Sequence, residues 1–127
     1  MPAIARVEAF IAMVESGQHA EAIEDFYHPE ASMQENLGPP RQGRDALVAR
    51  ERKMLEGVAE VRSHKVGPVF VSGDTVVINW VFDFVMRSGR SFTLDEVAWQ
   101  IWRDDRILRE RFYYDPGQTR STQQSQA

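Results

Sequence analysis

From Asp74 to Asp115, apolar and other residues alternate along three stretches separated by two turn signals, Arg87–Arg90 (RSGR) and Asp104–Arg106 (DDR). A period of two is that of strands in a sheet, so the region reads as three long strands in hairpin succession. Ile78, Trp80, Phe82 and Phe84 point to one side of the first strand, and Val77, Asn79, Val81, Asp83 and Val85 to the other. In the second, Val97, Trp99 and Ile101 oppose Glu96, Ala98, Gln100 and Trp102. Each side carries large apolar groups, and such a sheet requires a cover on both. The amino-terminal half supplies one cover; a partner subunit is the candidate for the other.

That half has a different period. Ile4, Val7, Phe10, Ile11 and Val14 follow the three-to-four spacing of a helix over Ala3–Ser16, and Gly17 ends it. His19–Phe26 reads as a shorter helix with Ala20, Ile23 and Phe26 inward, stopped by Pro29. Ser32–Glu35 is short and extended, Gly38-Pro39-Pro40 is a turn, and Gly43–Gly57 is a third helix. Ala59–Val71 reads as a strand interrupted at Gly67-Pro68, where a bulge or bend helps the sheet curl. Helices first and antiparallel strands after them give an α+β domain with the helices on one face of a curved sheet. Residues 1–117 form this single domain, and 118–127 are read as a disordered polar tail.

Composition narrows the function classes. A chain of 127 residues can bury one sizeable core, and a net charge of −4 provides no basic field for nucleic acid. No apolar run reaches the roughly 18 residues of a membrane helix, and the start does not read as a secretory signal. The expectation is therefore a cytoplasmic protein. Cysteine is absent, which excludes disulfides and thiolate metal sites. No His/Asp/Glu spacing matches a metal motif, so neither metal nor other cofactor is expected.

The order of elements and the segments EASMQENLG, VRSHKVGPV and TLDEVAWQIW resemble the nuclear-transport-factor-2-like superfamily. Within it the chain is similar to ketosteroid isomerases and SnoaL-like polyketide cyclases, from about Val7 to Asp115. The resemblance implies a half-open cone: a curved, mostly antiparallel sheet with the three helices on its concave face and an apolar small-molecule pocket between them. It also implies proton-transfer chemistry, as in isomerisation, cyclisation or dehydration. The alternative is a non-catalytic ligand-binding or dimeric association module, since the superfamily contains both.

Carried over residue by residue, the isomerase site is incomplete. The catalytic aspartate falls on Glu35, which keeps a carboxylate as the candidate general base. The two groups that donate to the enolate oxygen fall on Phe10 and Ala98, which cannot donate. One such donor contributes about 3 kcal/mol, so a true ketosteroid isomerase is not expected. A supporting tyrosine falls on Tyr27 and an aromatic position on Tyr114.

The resemblance also places the Val77–Val81 side of its strand toward the pocket. Asp83 then becomes a site candidate, or else a sign that the strand parity is wrong, because an unpaired charge on an apolar face costs several kcal/mol. His64 with Asp83 would be the available histidine–aspartate dyad; a strand histidine bonded to its neighbours is the plainer reading. Glu96 and Glu110 share the inner parity but are read as rim residues, and His19 and His28 as exposed. Ligand contacts are expected from Phe10, Tyr27, Asn79, Ala98, Gln100, Phe112 and Tyr114. Ile78, Trp80, Phe82, Phe84, Val97, Trp99 and Ile101 are expected on the outer face as one dimer patch, with Arg109, Arg111 and Tyr113 at its rim.

Overall fold

A computed structural model describes residues 1–120. Three helices, α1 (Ile4–Glu15), α2 (His19–Phe26) and α3 (Arg44–Glu56), come with six strands: β1 (Tyr27–Glu35), β2 (Arg41–Gln42), β3 (Val58–Ser72), β4 (Thr75–Met86), β5 (Ser91–Arg103) and β6 (Arg106–Tyr113). The strands form one mixed sheet in the order β2-β1-β6-β5-β4-β3. All pairs are antiparallel except β1 with β6. The sheet curls without closing, and the helices fill its concave side: an α+β cone.

Local chemistry accounts for the boundaries. Backbone turns at Gly17 (φ 90°) close α1, and the N–H of Gly17 donates to the carbonyl of Val14 at 3.0 Å. The helix α2 gives way to β1 at Tyr27, two residues before Pro29, and the β1–β6 register slips between Tyr27 and Ser32. Gly67 has φ 72°, and the β3–β4 register shifts between Val66 and Phe70, the interruption expected at Gly67-Pro68. Two elements differ from the sequence reading. The extended segment before Glu35 starts at Tyr27 rather than Ser32, and Arg41–Gln42 adds a short strand that pairs with it. Pro116–Thr119 form a 3-10 turn that takes in the first two residues of the expected disordered tail, and Gln118 Nε2 donates to the Asp95 carbonyl at 3.0 Å. Residues 121–127 of the expected disordered tail lie outside the described residues.

The relative phase of β4 and β5 corrects the expected outer patch. Val85 pairs with Ser91, so the five residues 86–90 separate the two strands. An odd loop puts Ile78 opposite Ala98 and Trp80 opposite Glu96, and therefore Val77 opposite Trp99. Ile78, Trp80, Phe82 and Phe84 thus face inward, where Ile78 and Trp80 join the core with Val7, Phe10, Ile11, Phe26, Trp102 and Ile107. They cannot form a dimer patch. Of that set, Val97, Trp99 and Ile101 remain outside, across from Tyr113, Arg111 and Arg109 of β6. Each strand's own alternation is as read; their mutual phase is the reverse of the expected one. No helix of the described residues is long and apolar enough to cross a membrane.

The two tryptophans make the phase measurable. Trp80 is 2% exposed and Trp99 47%. In urea unfolding, Trp80→Ala is expected to cost about 3–5 kcal/mol and Trp99→Ala less than about 1 kcal/mol. Equal costs would contradict the register.

Candidate functional site

Between the concave sheet and the helices lies a cavity of about 440 Å³, within the roughly 300–1,000 Å³ range of small-molecule pockets. Its walls are apolar: Phe10 and Val14 from α1, Ile23 from α2, Trp80, Phe82 and Phe84 from β4, Leu94 from β5 and Phe112 from β6. The polar groups come from the same strand periodicity. On the inner face of β5, Glu96 precedes Ala98 and Gln100; on β6, Glu110 lies opposite Gln100.

Glu96 is 8% exposed and Glu110 3%, so neither is a rim residue. Glu110 is the hub of a buried network. One of its oxygens accepts from the Tyr27 hydroxyl, and the other accepts from Gln100 Nε2 at 2.6 Å. Trp102 Nε1 in turn donates to Gln100 Oε1 at 2.9 Å. An indole N–H can only donate, so this contact orients the Gln100 amide with its NH2 toward Glu110. Burial drives the Glu110 carboxyl up to about 7, against the two hydrogen bonds that lower it. Burial, with the neighbouring Glu110 charge, also raises the Tyr27 hydroxyl.

Glu96 differs. Among the described residues no side chain hydrogen-bonds its carboxyl, and it lines the cavity. Burial first, then the charges of Glu110, Glu35 and Glu51, push it up to about 8. At neutral pH it is mostly a neutral acid, with an O–H that can be donated to a molecule in the cavity. It stands one inward-facing position along β5 from Ala98, where the resemblance places a family donor.

Glu35 ends β1 and lines the cavity nearer its opening, with its side chain 42% exposed. Arg41 Nη1 contacts Glu35 Oε2 at 3.0 Å, and the Tyr114 hydroxyl donates to Oε1 at 3.2 Å. The short strand β2 thus serves the site by bringing Arg41 beside Glu35. Tyr114 is raised by its own burial, then by the Glu35 charge.

The remaining candidates divide by strand phase. Phe10, Tyr27 and Phe112 line the cavity; Ala98 and Gln100 are fully buried beneath it. Asp83 and Asn79 are on the outer face, a correction with the same cause as the misplaced patch. The Thr93 hydroxyl donates to Asp83 Oδ1 at 2.6 Å, and Asn79 Nδ2 donates to Asp95 Oδ1 at 2.8 Å. His64, opposite Val81, is exposed on that outer side, so no His64–Asp83 dyad faces the cavity.

His19, expected to be exposed, is buried and lines the cavity. Its Nε2 is 2.7 Å from Ser63 Oγ and its Nδ1 3.6 Å from Glu51 Oε2. Such a set resembles a nucleophile triad, but Ser63 does not line the cavity and both ring nitrogens are engaged. It anchors α2 between β3 and α3. Among the described residues no group of three or more His, Asp or Glu has the arrangement to hold a metal ion.

The raised carboxyls make stability pH-dependent in a defined sense. Both folded values, about 8 and about 7, lie above the ordinary 4.5, so between these limits the unfolded chain binds fewer protons than the folded one. Their contribution to stability is complete below about pH 4.5 and is lost as pH rises to 8. Urea midpoints are expected to fall between pH 5.5 and 8.5, by the equivalent of a few kcal/mol. Glu96→Gln should flatten that fall; an unchanged slope in the variant would contradict burial of Glu96.

Comparison with known proteins agrees with the fold. Residues 7–110 match the family model of the SnoaL-like domain. No curated protein matches. Among solved structures, a candidate SnoaL-like polyketide cyclase from Mesorhizobium loti is 28% identical, with a TM-score of 0.77 over 90% of this chain and all of that one. A protein with a ketosteroid isomerase-like fold from Catenulispora acidiphila, in complex with trimethylamine, is 17% identical (TM-score 0.73, 89% of this chain and 87% of that one). TerC, co-crystallised with polyporic acid, is 20% identical (TM-score 0.71, 88% and 90%). The match over most of its length shows that the chain belongs to the SnoaL-like domain family.

Proposed function

We propose that the chain is a small-molecule enzyme that moves a proton at a carbon next to a carbonyl group. The observation that carries this reading is Glu96: an unpartnered carboxyl, held as a neutral acid, on the wall of an apolar cavity that also contains Glu35. Glu35, as carboxylate, takes the proton from carbon. The C–H electron pair moves into the C–C bond, and the carbonyl π pair moves onto oxygen. Glu96 donates a hydrogen bond to that developing enolate oxygen, where a donor excluded from water is worth most. Returning the proton from Glu35 to a different carbon gives isomerisation; attack of the enolate carbon on a second carbonyl carbon, whose oxygen takes the Glu35 proton, gives cyclisation; expulsion of a β-hydroxyl, which leaves as water with that proton, gives dehydration. With Phe10 and Ala98 unable to donate, Glu96 fills that role, and Tyr27–Glu110 is a proton reservoir beneath it. An association module has no need of an open cavity with an unpartnered carboxyl on its wall, which favours the enzyme reading.

A simple ketone tests the roles. With 2-tetralone in deuterated buffer, NMR is expected to show catalysed exchange at the α-carbon. Glu35→Gln should reduce it by about 10²–10⁴-fold, and Glu96→Ala by about 10²–10³-fold. In the parent protein the rate should fall as pH rises through about 8, where Glu96 loses its proton. Glu96→Gln, which donates at any pH, should lose that alkaline limb. Undiminished exchange in Glu35→Gln would refute its role as base.

The outer sheet face suits a second copy of the chain. Val77, Val81, Val97, Trp99 and Ile101 lie there together, with Tyr113 and with Arg109 and Arg111 at the margin. Trp99→Glu is expected to halve the mass measured by light scattering at micromolar concentration; a parent protein that already scatters as a monomer would overturn the dimer.

A further inference from the structure

Of the charged groups at the cavity's opening, the proton-transfer chemistry uses only Glu35. Five charged side chains line the cavity near the solvent: Glu35, Arg41, Arg50, Glu51 and Lys53. Glu35 and Arg41 satisfy each other at 3.0 Å, and Glu51 faces the buried His19 ring at 3.6 Å. Arg50 and Lys53 are left over. Both are exposed, and among the described residues neither has an ion-pair or hydrogen-bond partner.

Lys53, in the last turn of α3, suits the helix C-terminus, but its position beside Arg50 gives the fold nothing. Three residues apart on α3, they stand on one helix face, and like charges at that spacing cost a few tenths of a kcal/mol. The same helix shows the alternative, since Arg52, one residue away, pairs with Glu24 of α2. Arg50 and Lys53 instead turn toward the cavity, over an interior whose own carboxyls are deep.

We infer that Arg50 and Lys53 form an anion-binding site at the mouth of the cavity, and that the molecule it takes is an aromatic or polycyclic carbonyl compound with an anionic group at the end away from the carbonyl. This rests on the proton-transfer reading for the identity of the inward end. Orientation follows from charge. An anion at the inner end would be desolvated among apolar walls, a cost that a neutral carbonyl avoids. A carbonyl oxygen there meets a donor. At the mouth, two cations half in water attract an anion without first giving up a partner of their own. The walls between, Phe10, Phe82 and Phe112 among them, match a flat apolar body.

The test compares two flat ligands that differ only in charge, 2-naphthoate and 2-naphthamide, by calorimetry at low salt and pH 7.5. The parent protein is expected to bind the carboxylate at least 10-fold more tightly than the amide. The double variant Arg50→Gln/Lys53→Gln should bring that ratio close to one. Arg62→Gln/Arg103→Gln, which removes two exposed charges away from the cavity, should keep it. Raising salt to 0.5 M should shrink the parent's ratio. A parent ratio near one, or a ratio that survives loss of Arg50 and Lys53, overturns the inference. Its failure is separable from failure of the chemistry, because α-exchange in the neutral 2-tetralone needs no anion: exchange without the carboxylate preference refutes the anion site alone, and the preference without exchange refutes the proton-transfer reading alone.

Discussion

The ring of Phe10 packs edge-on against four other aromatic rings, those of Phe26, Tyr27, Trp80 and Trp102, with centroids 5.5–6.3 Å apart. These rings belong to α2, β1, β4 and β5, so one side chain of α1 ties the helical layer to three strands of the sheet. Edge-to-face pairs contribute about 0.5–1.5 kcal/mol each beyond the area they bury. The cluster leaves no polar atom at the point where related isomerases carry a donor. The cavity beside it is walled largely by apolar side chains, and each carboxyl that opens into it is neutral, bonded or partly wet.

The three carboxyls meet that condition in three ways. Glu110 accepts two hydrogen bonds from Tyr27 and Gln100. Glu96 has no such donors, and burial keeps its proton on. Glu35 lies where β1 ends, partly in water and beside Arg41. A gradient of environment along one cavity thus turns the same chemical group into a network hub, an acid and a carboxylate. Separating the roles of like groups by their surroundings is a general route to acid and base chemistry at one pH. The basic pair on α3 completes the gradient at the opening, where full hydration makes exposed charge inexpensive.

Much of this was legible in the chain. Strong periodicities gave the helices of α1, α2 and α3 and the long strands β3 to β6 nearly to the residue, because apolar spacing directly reports which side of an element is buried. The bulge at Gly67-Pro68 followed from what proline and glycine do to a ladder. Glu35 beside a pocket was legible through family resemblance, not through its neighbours in sequence. Glu96 and Glu110 were on the correct face but were read as rim residues, since alternation says which side a residue takes and not how deep it lies. Their depth comes from the helices that cover that side.

Sequence by itself determined the period of each element, the α+β order and the absence of thiol chemistry. What only the tertiary structure decided was the phase between elements. Each strand's alternation is a local property of the backbone, whereas the side shared by two strands depends on the number of residues in the turn joining them. One residue more or fewer between Val85 and Ser91 exchanges the faces. That parity moved Trp80, Phe82 and Phe84 from an expected interface into the core, and Asp83 and Asn79 from an expected site onto the outer face. His19 shows the same limit for helices. At a helix end it looks exposed, yet the packing of α2 and α3 on β3 and β4 surrounds it with Ser63, Glu51 and Phe82. Burial is a sum over contacts distant in sequence, and only the assembled chain fixes that sum.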